Sequence, residues 1–143
     1  DLFGDVLNLE DQYYQEGYDL GVADGSRSGR IEGRTFGLEK GFEKFVEMGR
    51  LHGKALVWEA RLPAAQSDDT RSSDATSMGG LPPLQAPSGN ARLQKHVERL
   101  AALSDPNDLS TENSEDAVSE FDDRLKDAKT KTTLISRMAG EED

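Results

Sequence analysis

The chain has no cysteine, two histidines among 143 residues, 6% aromatic residues and no long apolar run. Without cysteine there are no disulfides, zinc fingers or thiolate-held clusters. Without an apolar stretch of about 18 residues there is no transmembrane helix. A mean hydropathy of -0.72 and 34% hydrophobic residues leave little material for a self-sufficient core and point to partner-dependent folding. Basic charge is also scarce: 17 Lys and Arg stand against 28 Asp and Glu, for a net charge of -11. That balance disfavours nucleic acid as the main partner. The chain begins at Asp1 without methionine, as a processed or trimmed product does, and no targeting pattern follows.

Charge and composition divide the chain. Residues 1–62 carry a net -4, residues 63–92 a net -1 and residues 93–143 a net -6. Every proline except Pro106 falls between 63 and 90, among Ser, Gly, Asp and Thr, which predicts a disordered linker over 63–90. Beyond it, Leu93, Val97, Leu100 and Leu103 repeat at helical spacing, with Asn90 as the expected N-cap and Pro106 as the stop. A second stripe, Val118, Phe121, Leu125, Ala128, Thr132 and Ile135, follows Ser114 as cap and ends near Met138. The turn chemistry of Asp105-Pro106-Asn107-Asp108 lets the two fold back as an antiparallel pair over 91–138, leaving 139–143 as an acidic tail.

The informative segment is upstream. Glycine occupies positions 17, 21, 25, 29, 33, 37 and 41, is replaced by Phe45, and returns at 49 and 53. Nine of ten slots in one phase are thus glycine, where chance supplies roughly 7%. A flexible linker keeps no register, and the positions between are filled by helix formers, so the segment reads as helix. Each interior glycine costs roughly 0.8–1 kcal/mol relative to alanine, about 8 kcal/mol in all, comparable with the whole stability of a small domain. The compensation available is close approach: a helix face without side chains admits the backbone of a second helix. A period of four advances about 40° beyond a full turn per step, so the contact wraps right-handedly or the helix breaks. The weakest stretch for a break is Gly25-Ser26-Arg27-Ser28-Gly29, which leaves a helical hairpin as the alternative to one long helix.

Around the register stand most of the chain's large apolar residues, among them Tyr13, Tyr18, Phe36, Phe45 and Trp58. The partner-binding set read from the sequence is therefore Gly17, Gly21, Gly25, Gly29, Gly33, Gly37, Gly41, Gly49 and Gly53 with these five aromatics. Interspersed charges such as Asp19, Asp24, Arg30, Glu32, Arg34 and Lys40 make a lipid-embedded glycine helix untenable, so the partner is a soluble protein or a second copy.

At these residues the chain resembles the LTO-type deca-Gly-x-x-x proteins, the oral-cancer-overexpressed protein family. The likeness runs through Asp11-Gln12-Tyr13-Tyr14-Gln15-Glu16-Gly17-Tyr18, the register to Gly53, and Ala55-Leu56-Val57-Trp58. It covers roughly the first 60 residues and only loosely the acidic tail; the YAE type shares the register without this short arrangement near the N-terminus. The resemblance implies a non-enzymatic adaptor that pairs with a YAE-type glycine-repeat protein and recruits an apo ABC-class ribosome-recycling ATPase to the cytosolic iron-sulfur targeting complex. It implies work in the cytoplasm, with the nucleus as a further compartment, and no cofactor on this subunit. In the family the contact with the targeting complex is made by a C-terminal aromatic residue. Here the last residues are Ala139-Gly140-Glu141-Glu142-Asp143, so either the sequence stops short of that tail or the contact lies on a partner.

No catalytic constellation competes. Gly49-Arg50-Leu51-His52-Gly53-Lys54-Ala55 is one spacer short of a phosphate loop and has alanine where a magnesium-binding hydroxyl belongs. His52 and His96 share no motif, so no metal ligand is assigned. The pairs Asp68-Asp69 and Asp122-Asp123 lie in polar stretches without the dry setting that acid–base work needs. Ser114 and Ser119 sit among acids as capping or phosphate-accepting residues. The expected fold is all-α, a long glycine-register helix or hairpin, a linker and a short acidic helical pair, and the alternative function is a self-associating glycine-zipper scaffold.

Overall fold

The computed structural model describes residues 1–62, 81–84 and 89–141 and is all-α, with three helices and no strand among them. Helix α1 runs Leu2–Arg61, α2 Asn90–Ser104 and α3 Glu115–Ala139. Helix α1 is continuous through Gly25 to Gly29, so the hairpin alternative is not adopted. No helix among the described residues is long and apolar enough to cross a membrane. Contacts divide the chain into two units, Asp1–Glu43 and Lys44–Asp143, where composition alone had grouped residues 1–62.

In the Asp1–Glu43 unit every large apolar side chain is exposed. What holds it helical locally is a set of short-range pairs: Gln15 to Asp19 at 2.9 Å, Arg30 to Ser26 at 3.2 Å and Lys40 to Glu43 at 2.9 Å. Such pairs contribute about 0.2–0.5 kcal/mol each, too little to offset seven glycines.

The Lys44–Asp143 unit is a three-helix bundle built on the last turns of α1. Met48, Leu51, Ala55 and Trp58, spaced three or four apart, form one buried stripe. Against it pack Leu93, Val97, Leu100 and Leu103 of α2, and Phe121, Ala128, Thr132 and Ile135 of α3. The cross-links set the directions: His96 meets Lys131 and Arg124 reaches the Asp108 carbonyl, so α3 runs antiparallel to α2, whereas Lys44 meets Asp122 and Arg61 meets Glu141, so α3 runs parallel to α1. The C-terminal helices are therefore not a self-contained pair; a third of their core comes from α1. Val118, expected on the α3 stripe, lies one turn above this core and stays 44% exposed.

Local chemistry sets the helix ends. Pro106 cannot continue a helix, and α2 stops at Ser104 with Asp105 extended. The Asp105 carboxylate then accepts from the Asn107 backbone N–H at 2.9 Å, forming the expected turn. Ser114 caps α3, its hydroxyl accepting from Ala117 N–H at 3.2 Å. Asn90 is not the cap of α2: it is the first helical residue, and Gly89 precedes it at φ 105°, a conformation suited to glycine. Gly140 ends α3 in the left-handed region at φ 71°, with Glu141 N–H bonded back to the Ser136 carbonyl at 2.9 Å.

That reversal brings Glu141 onto the end of α1. Its carboxylate pairs with Arg61 and accepts from the Trp58 indole N–H at 3.3 Å. Arg61 also donates to the Pro82 carbonyl at 2.8 Å, its own carbonyl accepts from Leu84 N–H at 3.0 Å, and Leu84 drops into the core. Two expectations are corrected here. Leu81 to Leu84 belong to the predicted linker, yet Leu84 is a core residue; the rest of that linker, 63–80 and 85–88, lies outside the described residues. Glu141 belongs to the predicted acidic tail, yet it clasps the bundle; residues 142–143 lie outside the described residues.

The polar core contacts are satisfied. The single hydrogen of the Ser104 hydroxyl goes to the Leu100 carbonyl at 2.7 Å, so His52 Nδ1, at 3.0 Å, is the donor to Ser104 Oγ. Burial, with Lys131 and Arg92 nearby, pushes the His96 imidazole below its usual pKa, and the neutral ring accepts from Lys131 Nζ at 3.1 Å.

Leu84→Ala is expected to lower the unfolding free energy of the bundle by about 2–4 kcal/mol in urea titration, the range for removing a buried leucine, whereas Leu81→Ala, at an exposed position, changes it little. The clasp carries a pH signature. Arg61, and next Trp58, hold the Glu141 carboxyl below its ordinary pKa of 4.5; the stabilisation is present above that value and is lost as pH falls through the depressed folded-state value. Thermal unfolding from pH 7 to pH 3 should show Glu141→Gln with a lower midpoint at neutral pH and convergence with the parent chain in acid.

Candidate partner-binding surface

All nine register glycines lie on α1. A Cβ built on any of them meets no atom within 4 Å among the described residues, outside the helix's own backbone. The glycine path is therefore open at all nine glycines. From Gly17 to Gly41 it turns by about 240° around the helix, and from Gly17 to Gly53 by about a full circle.

The apolar residues follow a different line. Leu9, Leu20, Ile31 and Phe42 are spaced by eleven residues, and each is at least half exposed. Eleven residues make three turns with only about 20° of drift, so these four mark a nearly straight edge while the glycines spiral past it. Tyr13, 66% exposed, stands beside this edge, and Tyr18 and Phe36, 59% and 63% exposed, stand on a second apolar strip across the early glycines. The eleven-residue spacing was present in the sequence, masked by the stronger period of four. The Asp1–Glu43 unit thus combines open glycines with fourteen exposed large apolar side chains, far more than the scattered exposure usual at a monomer's surface.

Two of the expected binding aromatics belong elsewhere. Trp58 is 6% exposed, packed in the bundle core with its indole N–H given to Glu141, because it falls on the Met48, Leu51, Ala55 stripe. Phe45 stacks on Phe121 with ring centroids 4.6 Å apart. That contact accounts for the one interruption of the register: slot 45 is where α1 begins to pack on α3, and an aromatic ring there fills space that glycine would leave empty. Gly49 and Gly53 fall on the side of α1 opposite the buried stripe, so the path reopens past Phe45.

No group of three or more His, Asp or Glu among the described residues is arranged to hold a metal ion. The acidic pair Asp122-Asp123 is exposed, Asp122 pairing with Lys44 at 2.6 Å, so neither has the desolvated setting of a catalytic carboxylate.

Residues 12–55 match the family model described as "Essential protein Yae1, N terminal". The match takes in the entire register from Gly17 to Gly53, both its uninterrupted part and the turns that join the bundle. This segment is therefore Yae1-like. No solved structure matches the chain.

The division of labour at slots 45 and 49 is testable. Phe45→Gly completes the register but removes the contact with Phe121; it is expected to destabilise the Lys44–Asp143 bundle by about 1–3 kcal/mol, reduced from a full aromatic deletion because Phe45 is 43% exposed. Gly49→Leu adds a side chain to the open face and should leave the denaturation midpoint of the bundle unchanged or raised.

Proposed function

We propose that this chain is a non-enzymatic adaptor subunit whose Yae1-like segment binds the glycine-repeat helix of a second, YAE-type protein. The observation that carries the reading is the open glycine path on α1, flanked by exposed apolar residues. A helix that forgoes side chains at nine positions gains stability only where another backbone approaches those positions. The LTO-type features around the register, Tyr13-Tyr14 before Gly17 and Leu56-Val57-Trp58 after Gly53, support the LTO side of such a pair for this chain. In that role the pair brings an apo ABC-class ribosome-recycling ATPase to the cytosolic iron-sulfur targeting complex, in the cytoplasm and with no cofactor, nucleic acid or membrane bound by this subunit. Its contribution is juxtaposition of partners; cluster chemistry belongs to proteins that carry cysteine.

Circular dichroism and sedimentation velocity test the pairing. The chain alone is expected to show less helix than in a one-to-one complex with a co-expressed YAE-type protein. Gly33→Leu and Gly37→Leu provide the sharper control, because leucine favours helix over glycine by roughly 0.8 kcal/mol or more. Each variant should be as helical as the parent chain or more so when alone, yet fail to pair because the side chain blocks backbone approach. Arg30→Ala should pair normally. Retained pairing in both leucine variants, or a homo-oligomer formed without any partner, would overturn the reading, the latter in favour of a self-associating scaffold.

A further inference from the structure

In the Lys44–Asp143 bundle the seam between the parallel helices α1 and α3 opens on one side into a groove of about 660 Å³. Its walls carry Arg50 and Lys54 from α1 and Lys129 and Arg137 from α3, with Glu47 as the one acid. Its floor includes Leu51 and Thr132, both buried. The concentration is unexpected in a chain of net charge -11, which gathers four of its 17 cations here against one of its 28 acids.

Glu47 does not cancel this charge. Arg50 holds its carboxylate through two hydrogen bonds of 3.0 and 3.2 Å, neutralising one cation of the four. The ammonium groups of Lys54 and Lys129 make no ion pair or hydrogen bond among the described residues. The bond from Arg50, with the nearby charges of Lys129 and Lys54, holds the Glu47 carboxyl below its usual pKa, so both walls bear on one point. Three other cations of the bundle are ion-paired: Lys44 with Asp122, Arg61 with Glu141 and Arg124 with Glu120.

We infer that this groove docks a short acidic segment of a partner protein, its carboxylates set against Lys54 on one wall and Lys129 on the other. At about 1.5 Å per residue the cationic positions span roughly 6 Å on α1 and roughly 12 Å on α3, which accommodates about two to four extended residues. The groove is open along its length rather than closed around a small molecule, and a longer polyanion such as nucleic acid would meet the net -6 of residues 93–143. The site is separate from the glycine path and does not depend on the pairing proposed above.

The test uses the full chain and a fluorescein-labelled octapeptide of alternating Glu and Asp, followed by anisotropy at low salt. Binding should weaken by about tenfold in the double variant Lys54→Gln/Lys129→Gln and by a similar factor when salt shortens the screening length. Far-ultraviolet circular dichroism of the variant should match the parent. The control Lys40→Gln/Lys95→Gln, which removes the same charge elsewhere on the exposed surface, should bind as the parent does. Equal loss in the control would show non-specific attraction and overturn the site. Displacement of the peptide by inorganic phosphate at matched charge, or tighter binding of an oligothymidine than of the peptide, would overturn the choice of occupant. So would sedimentation showing that the chain dimerises through Lys54 and Lys129, which would make a second copy the occupant.

Discussion

The structure depends on a backbone left bare in a regular pattern. A glycine at every fourth position of a continuous helix removes side-chain contacts along a path that circles the axis, and every such residue weakens the helix that carries it. The same omission makes the helix able to receive another at close range, where dispersion and weak Cα–H···O contacts accumulate over many residues. Low intrinsic helix stability and openness to close approach thus have one cause. The exposed rings and aliphatic chains beside the path follow from it too, since they supply the area that a glycine contact by itself lacks.

The last turns of α1 resolve the same problem within the chain. From Phe45 onward one face of the helix carries Met48, Leu51, Ala55 and Trp58, and α2 and α3 cover it. The opposite face keeps Gly49 and Gly53 open. One helix therefore serves two purposes in the same turns, with apolar residues on one side committed to the bundle and glycines on the other left available. The Arg61–Glu141–Trp58 clasp and the insertion of Leu84 close the end of this bundle with contacts from segments far apart in sequence. The ion pair in this clasp has its guanidinium largely shielded, the Arg61 side chain being 12% exposed, while the Glu141 carboxylate still meets water and is partly screened.

Legibility from sequence followed the range of the interactions. The cap at Ser114, the stop at Pro106 and the Asp105 turn rest on contacts between residues a few positions apart, and they stand where the sequence puts them. The glycine register was legible because a period is a local property repeated. Trp58, expected at the partner surface, is buried within the chain for an equally physical reason: burial of apolar area is non-directional, so an apolar residue announces that it will be covered without saying by what. Leu84 was hidden because Leu81-Pro82-Pro83-Leu84 has linker composition, and its burial depends on a site that exists only once three helices have met.

By itself the sequence determined the helical class, the glycine path and its pitch, the absence of thiolate chemistry and the places where two helices begin or end. Only the tertiary structure decided that α1 runs unbroken, that its final turns form a bundle with α2 and α3, and that Trp58 is buried and Phe45 packs on Phe121 while the glycines stay open. The reason is that propensity, capping and periodicity act over one or two turns. Which of two apolar faces is covered from within the chain depends on the simultaneous packing of side chains separated by dozens of residues.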